Sequence, residues 1–186
     1  MTIVLVWFFF ALFLGGIMFA LSLVLSELWR VTWRNGVPSL SSTWAILDSV
    51  LANNILPKDG MIVDLGCGNS WALRRMWRAG LRGPFVGYER EFTAWFVGSL
   101  WNLVMSSPVT IVRADFRKAP IEQAKGIYLF LLPEALRQLK PIIEERAQPG
   151  TVVVSAEFEV PGWTPTQVLH ARGVTCARAP VYCYVI

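Results

Sequence analysis

Charge is scarce in this 186-residue chain: 16% of its residues are charged, against about a quarter in an average globular domain. With 54% hydrophobic residues it is not a disordered chain. Histidine occurs once, at His170, which excludes a histidine-based triad and a histidine-rich metal site. Cysteine occurs three times, at Cys67, Cys176 and Cys183, with no Cys-x-x-Cys pair. That is neither a disulfide framework nor a zinc signature, and it suits a reducing compartment. No metal site is expected. There is no long Lys/Arg run, so the formal net charge of +4 does not point to nucleic acid. It suits an anionic membrane surface. There is no internal repeat and no low-complexity tract.

What is abundant is apolar sequence, and it is concentrated. Residues 3–25 carry no charge, and only Gly15, Gly16 and Ser22 there fall outside the hydrophobic set. At ~1.5 Å per residue this helix is about 34 Å long, enough for a ~30 Å hydrocarbon core. A signal peptide is the rival reading, but Met1-Thr2 offers no basic flank and the run is long for an h-region. Arg30 and Arg34 follow the run, so the positive-inside rule places the rest of the chain on the cytoplasmic side of a single-pass membrane protein. Trp29 and Trp33, four apart, suit the headgroup level of one helix face. The expected organisation is a transmembrane helix over 1–26, a juxtamembrane stalk over 27–43 and one domain over 44–186. The short stalk keeps that domain near the bilayer.

Asn35-Gly36-Val37-Pro38-Ser39 ends the helix signal. Ser41-Ser42-Thr43 can cap a helix whose apolar face is Trp44, Leu47, Val50 and Leu51. Strands are then expected over 61–65, 84–88, 109–112, 126–132 and 151–158, with helices over 70–79, 91–105 and 134–147, the last broken at Pro141. The tail over 167–186 reads as a hairpin. Such alternation predicts an open, mainly parallel α/β sheet. Tyr128 belongs to its core. Phe92, Trp95, Phe96, Leu100 and Trp101 read as a core stripe in preference to a membrane-binding face. Arg74, Arg75 and Arg78 read as a solvated or lipid-facing helix surface.

The sharpest local signal is Val63-Asp64-Leu65-Gly66-Cys67-Gly68-Asn69-Ser70, where a strand turns into a helix. Glycines there let backbone approach a ligand, and the helix start offers free N–H groups. A dinucleotide fingerprint needs a small third residue, and Trp71 is too large. The alternative is the acid-x-Gly-x-Gly-x-Gly turn that binds S-adenosylmethionine in class I methyltransferases. Asp64, Gly66 and Gly68 match it, and Ser70 stands at the third glycine. An acid at the end of the next strand, for the ribose hydroxyls, is supplied by Glu89. One after the third strand, for the adenine amino group, is supplied by Asp115, followed by Phe116. Each acid alone could be a turn or helix-start residue. Together they fall where open α/β sheets bind ligands.

With these residues in view, segment 37–165 resembles the single-pass membrane class I methyltransferases related to the mitochondrial lysine methyltransferases of the adenine nucleotide translocase and the ATP synthase c subunit. The resemblance rests on Val37-Pro38, the aspartate–glycine turn and Gly87-Tyr88-Glu89 before an aromatic helix. It continues through Asp115-Phe116, Leu131-Leu132-Pro133-Glu134 and Pro161-Gly162-Trp163-Thr164-Pro165. It implies a Rossmann-like class I methyltransferase sheet with a C-terminal antiparallel hairpin, preceded by one transmembrane helix. It also implies S-adenosylmethionine as cofactor and a protein lysine, on a membrane protein, as substrate. Cofactor-binding residues would be Asp64, Gly66, Cys67, Gly68, Asn69, Glu89, Asp115 and Phe116. A lysine nucleophile must be neutral, against an ordinary pKa of ~10.4; catalytic candidates are Pro133, Glu134 and Glu157. Asn-Pro-Pro-Tyr is missing after the fourth strand, which disfavours adenine or glutamine-amide methylation. Asn69-Ser70-Trp71 departs from the relatives' Asp-Gly-Arg and predicts weaker or altered cofactor binding. Two other readings stay open: a methyltransferase of a lipophilic small molecule, and a degenerate cofactor-binding or scaffolding protein.

Overall fold

The computed structural model describes residues 2–33, 43–173 and 177–186, with side chains from 4 to 26 in the first segment. The break at 35–39, Arg34, Val37-Pro38, Ser41-Ser42 and Cys176 lie outside the described residues, as do the side chains of Trp29, Arg30 and Trp33. The chain divides into two compact units, residues 1–39 and 40–186.

Among its described residues the first unit holds one helix, α1 (Thr2–Trp33), which continues past the expected end of the span. Its segment Val4–Ser26 is long and apolar enough to cross a membrane, by length and composition. Its few polar side chains hide themselves in the backbone. The Ser22 hydroxyl donates to the Phe19 carbonyl at 2.7 Å and that of Ser26 to Leu23 at 2.8 Å. A hydroxyl bonded this way makes no demand on an apolar solvent.

The second unit begins with α2 (Trp44–Ala52), capped by Thr43, whose hydroxyl accepts from the Ile46 N–H. Then come β1 (Met61–Leu65), α3 (Trp71–Arg78), β2 (Phe85–Glu89), α4 (Phe92–Val104), β3 (Val109–Arg113), β4 (Ala124–Leu129), α5 (Pro133–Arg146), β5 (Val152–Ala156), β6 (Gln167–Ala171) and β7 (Ala179–Val185). The seven strands form one sheet in the order β3-β2-β1-β4-β5-β7-β6. Strands β1 to β5 run parallel, and β7 and β6 close the far edge antiparallel. The expected mixed sheet with a terminal hairpin is therefore present.

Alternate residues of each strand feed two cores. Ile62, Phe85, Tyr128 and Val154 face α2 and α3, while Val63, Ile127, Leu129 and Val153 face α5. The strands at the centre are covered on both faces, so they read as near-continuous apolar runs. The chain reverses direction across the sheet between β1 and β4, which opens a crevice at their carboxyl ends.

Three expectations are corrected. Trp44 is exposed, and the buried face of α2 is Ile46, Leu47 and Val50. Pro141 does not break α5, which runs on from Pro133 to Arg146 because Leu136, Leu139 and Ile143 are buried on both sides of it. Finally, α4 is not a core stripe. It buries Gly98 and Asn102, holds Trp95 half-buried against the Ile111 carbonyl, and leaves Phe92, Phe96, Leu100 and Trp101 exposed.

Candidate active site

The turn after β1 is pinned to the neighbouring strand. The N–H groups of Gly66 and Cys67 both donate to the Tyr88 carbonyl, at 2.9 and 3.1 Å. Gly66 and Gly68 sit at φ +89° and +53°, in the region that glycine enters without a Cβ clash. A Cβ on Gly66 would collide with Leu131, whereas one on Gly68 would meet nothing within 4 Å. Gly68 thus faces open space at the carboxyl end of the sheet. Cys67 is buried against Gly87, and burial pushes its thiol above the ordinary range. It is packing, not a nucleophile.

Two carboxylates flank this space. Glu89, the last residue of β2, accepts from the Gly68 N–H at 2.9 Å through Oε2 and from the Glu91 N–H at 2.8 Å through Oε1. Each oxygen keeps a further lone pair for a ligand hydroxyl. Asp64 is buried, and no ion pair to it is present among the described residues. Burial first, and the neighbouring Glu89 second, push its carboxyl up to about 8. A buried acid of this kind is short of a cation.

Asp115 lies two residues past β3 and caps a short 3-10 turn, Phe116–Lys118. Arg117 grips it, with Nη2 to Oδ2 at 2.5 Å and the Arg117 N–H to Oδ1 at 3.0 Å. Those bonds hold its carboxyl down to about 2. Phe116 is partly buried against the α5-side core.

The three residues that depart from the motif have structural work. The Asn69 Oδ1 accepts from the Trp71 N–H at 3.1 Å, which caps α3. Ser70 is fully buried at φ +59°, the left-handed conformation of the glycine it replaces. Arg74 holds both: its Nη1 donates to the Asn69 carbonyl, the Ser70 hydroxyl and Asn102 Oδ1, at 2.7, 2.9 and 2.9 Å. Asn102 in turn donates to the Val109 carbonyl at 2.9 Å. Arg74 is therefore no solvated or lipid-facing residue, and burial lowers its pKa. Of its neighbours, Arg75 is paired, while Arg78 is exposed as expected. Arg75 pairs with Asp48 at 2.7 Å and lies over the Trp44 ring, which packs against Trp71. Arg78 reaches the Met105 sulfur. The Arg74–Asn102 link is what sequence reading missed; a serine at a glycine position with arginine four residues on was its only signal.

The catalytic candidates lie farther along the same sheet edge. Pro133 and Glu134 open α5, and Glu134 is exposed and engaged by Arg137 and Gln138. Glu157 directly follows β5, is buried, and has a left-handed backbone at φ +64°. Its N–H donates to the Pro180 carbonyl, and its carboxylate packs against Gly173.

The model of the ANTKMT methyltransferase domain matches residues 64–167, from the first acid of the turn to the start of β6. The chain belongs to this methyltransferase family. A protein-lysine N-methyltransferase of Saccharolobus islandicus is 28% identical over 152 residues, 81% of this chain and 94% of that protein. The adenine nucleotide translocase lysine N-methyltransferase of Mus musculus is 30% identical over 144 residues, 75% of this chain. The chain spans 61% of the length of that mouse relative. Among solved structures, an RNA methyltransferase of Salinibacter ruber with bound S-adenosyl-L-homocysteine superposes with a TM-score of 0.66 at 24% identity, over 76% of this chain and 89% of that one. That likeness establishes the class I methyltransferase fold. Family membership also favours an enzyme over the scaffolding reading.

Proposed function

We propose that this chain is a membrane-anchored methyltransferase that uses S-adenosylmethionine to methylate a lysine side chain of a membrane protein. The observation that carries the reading is the Asp64–Gly68–Glu89 cradle in a chain of the ANTKMT methyltransferase family. The lysine assignment rests on the two relatives named for lysine methylation. The anchor rests on α1, which also supports a substrate held in the same bilayer, because tethering raises the encounter rate.

The cofactor, when bound, supplies an electrophilic methyl on a positively charged sulfur. Asp64 is the group short of a cation, and the amino-acid end of the cofactor carries one. Glu89, held in place by the Gly68 N–H, would offer its two oxygens to the ribose hydroxyls. Asn69 and Ser70 hold the turn, with Arg74 behind them. Asp115 and Phe116 would hold the adenine end. On the substrate side, the lysine must arrive neutral and in line with the methyl, so orientation supplies much of the rate. Of the three candidates, Pro133 has no group that can take a proton, and Glu134 is exposed to solvent. We assign the lysine's proton to Glu157, a buried carboxylate in strained backbone at the sheet edge.

Calorimetry on the full chain is expected to show S-adenosylmethionine binding that Glu89→Ala weakens at least ~10-fold, since charged hydrogen bonds are worth about 1.5–3 kcal/mol. Membranes incubated with labelled cofactor should yield a labelled protein band carrying methyl-lysine, and Glu157→Gln should lower kcat more than KM. Wild-type protein that binds no cofactor overturns the reading. Label extractable with lipid would replace the protein substrate by a lipophilic molecule.

A further inference from the structure

A surface helix normally turns its large apolar residues inward, and α4 does the reverse. At ~100° per residue, Phe92, Phe96, Leu100 and Leu103 fall within roughly 80° of one another, opposite the buried Gly98 and Asn102. The helix touches the domain through Gly98, through Asn102, and through Trp95, half-buried with its Nε1 donating to the Ile111 carbonyl at 3.2 Å. A Cβ on Gly98 would sit 2.6 Å from Ile111 and 2.8 Å from the Asn69 carbonyl, so the helix approaches through its smallest residue. The large side chains are left outward: Leu103 is 77% exposed and Val104 67%. None of the 13 residues of α4 is charged.

The charges stand at its ends. At the N-terminal end Arg90 is exposed, and the Arg113 guanidinium lies 5.2 Å over the Phe92 ring. At the C-terminal end Arg78 reaches Met105. Of the nearby acids, Glu89 is turned into the glycine turn, and Glu91 pairs with Arg90 at 4.0 Å, the long limit of an ion pair, with the Arg90 side chain still 64% exposed. An apolar, aromatic face framed by arginines matches an anionic bilayer surface, with rings at acyl depth and guanidinium groups among the phosphates. Thirteen residues are too few to span. A second copy fits less well, because α4 packed on α4 about a twofold axis would bring arginines of the two chains together.

We infer that α4 is a membrane-docking helix: the face of Phe92, Phe96, Leu100 and Leu103 lies in the interface of an anionic bilayer. This rests on the reading that α1 anchors the chain. Docking would orient the domain as well as tether it, since α4 also touches the cofactor turn through Asn69.

The test uses the full chain in vesicles of phosphatidylcholine with or without phosphatidylglycerol, doped with a phospholipid carrying a photoactivatable diazirine in its acyl chain. Protein is kept dilute enough that copies do not meet, and adducts are mapped by mass spectrometry. Adducts are expected on Val4–Ser26 in both lipids. On Phe92–Val104 they should exceed those on α5 several-fold when phosphatidylglycerol is present, and fall with Leu100→Glu plus Leu103→Glu or with Arg90→Gln plus Arg113→Gln. Unchanged thermal melting shows that these variants stay folded. Labelled α1 with α4 no more labelled than α5 overturns docking and leaves the anchor intact. Labelled α4 with bare α1 overturns the anchor and keeps the docking face. In a second run at high protein density with a protein–protein crosslinker, crosslinks between the α4 helices of two copies with no lipid adducts on α4 would assign the face to self-association and overturn the proposal.

Discussion

Ser70 holds a backbone conformation that costs a side chain about 1–2 kcal/mol, and its hydroxyl bonds return about as much. Both can be separated by substitution. Ser70→Gly relieves the strain and loses the bonds to Arg74 and Asn102, so stability should change by less than ~1 kcal/mol. Ser70→Ala keeps the strain and loses the same bonds, so it should fall ~1 kcal/mol or more below Ser70→Gly in urea unfolding. Equal stabilities would mean that the left-handed backbone is not strained. Asp64 gives a pH dependence with a fixed sign. Its carboxyl is raised from 3.8 to about 8, so the folded chain binds the proton more tightly than the unfolded one. That contribution to stability is complete below the unfolded value and is lost as pH rises to about 8. The melting temperature of Asp64→Asn minus that of wild type should therefore grow between those two values and level off above them. On the proposed reading, cofactor binding also drives Asp64 to ionise. At neutral pH the binding enthalpy should then vary with the ionisation enthalpy of the buffer, and a buffer-independent enthalpy would sink that role.

Pro141 sits on the exposed side of α5 in mid-helix, where proline removes an N–H and costs ~3 kcal/mol. The buried side of α5 outweighs that local cost. Pro141→Ala should therefore raise stability by about 1–3 kcal/mol, seen as a higher urea midpoint with unchanged slope; a lower midpoint would mean that the ring packs usefully. This shows where legibility ended. Strands β1, β2, β4 and β5 could be read because apolar runs between turn residues carry their own signal, and the glycine turn with Glu89 and Asp115 because each acid follows its own strand. The break at Pro141 was misread because a local penalty was weighed without the tertiary packing that overrides it. The face of α4 was misread because the helix is apolar all round. Periodicity cannot then say that Gly98 and Asn102 form the inward side. Arg74 reads as a surface charge in the sequence because its partner Asn102 is on another helix.

At the scale of the whole molecule, the shortage of charge has two sources, the apolar stretch Val4–Ser26 of α1 and the uncharged α4. They make different demands on the chain. Every strand and both cores lie within 44–186, and the second compact unit begins at Leu40. A chain starting at Leu40 should therefore fold by itself and bind S-adenosylmethionine within ~3-fold of the full chain, because every residue proposed for the cradle lies within 44–186. It should still methylate a soluble lysine peptide drawn from the substrate. Labelling of a membrane-embedded substrate should fall at least ~10-fold at equal enzyme concentration, because tethering in the same bilayer supplies the local concentration that diffusion must otherwise provide. Calorimetry and labelled-cofactor assays on the two chains, side by side, check both halves. Loss of cofactor binding by the shorter chain would make α1 part of the fold. Undiminished labelling of the membrane substrate would show that the tether does not serve encounter, leaving α4 as the contact that brings enzyme and bilayer together.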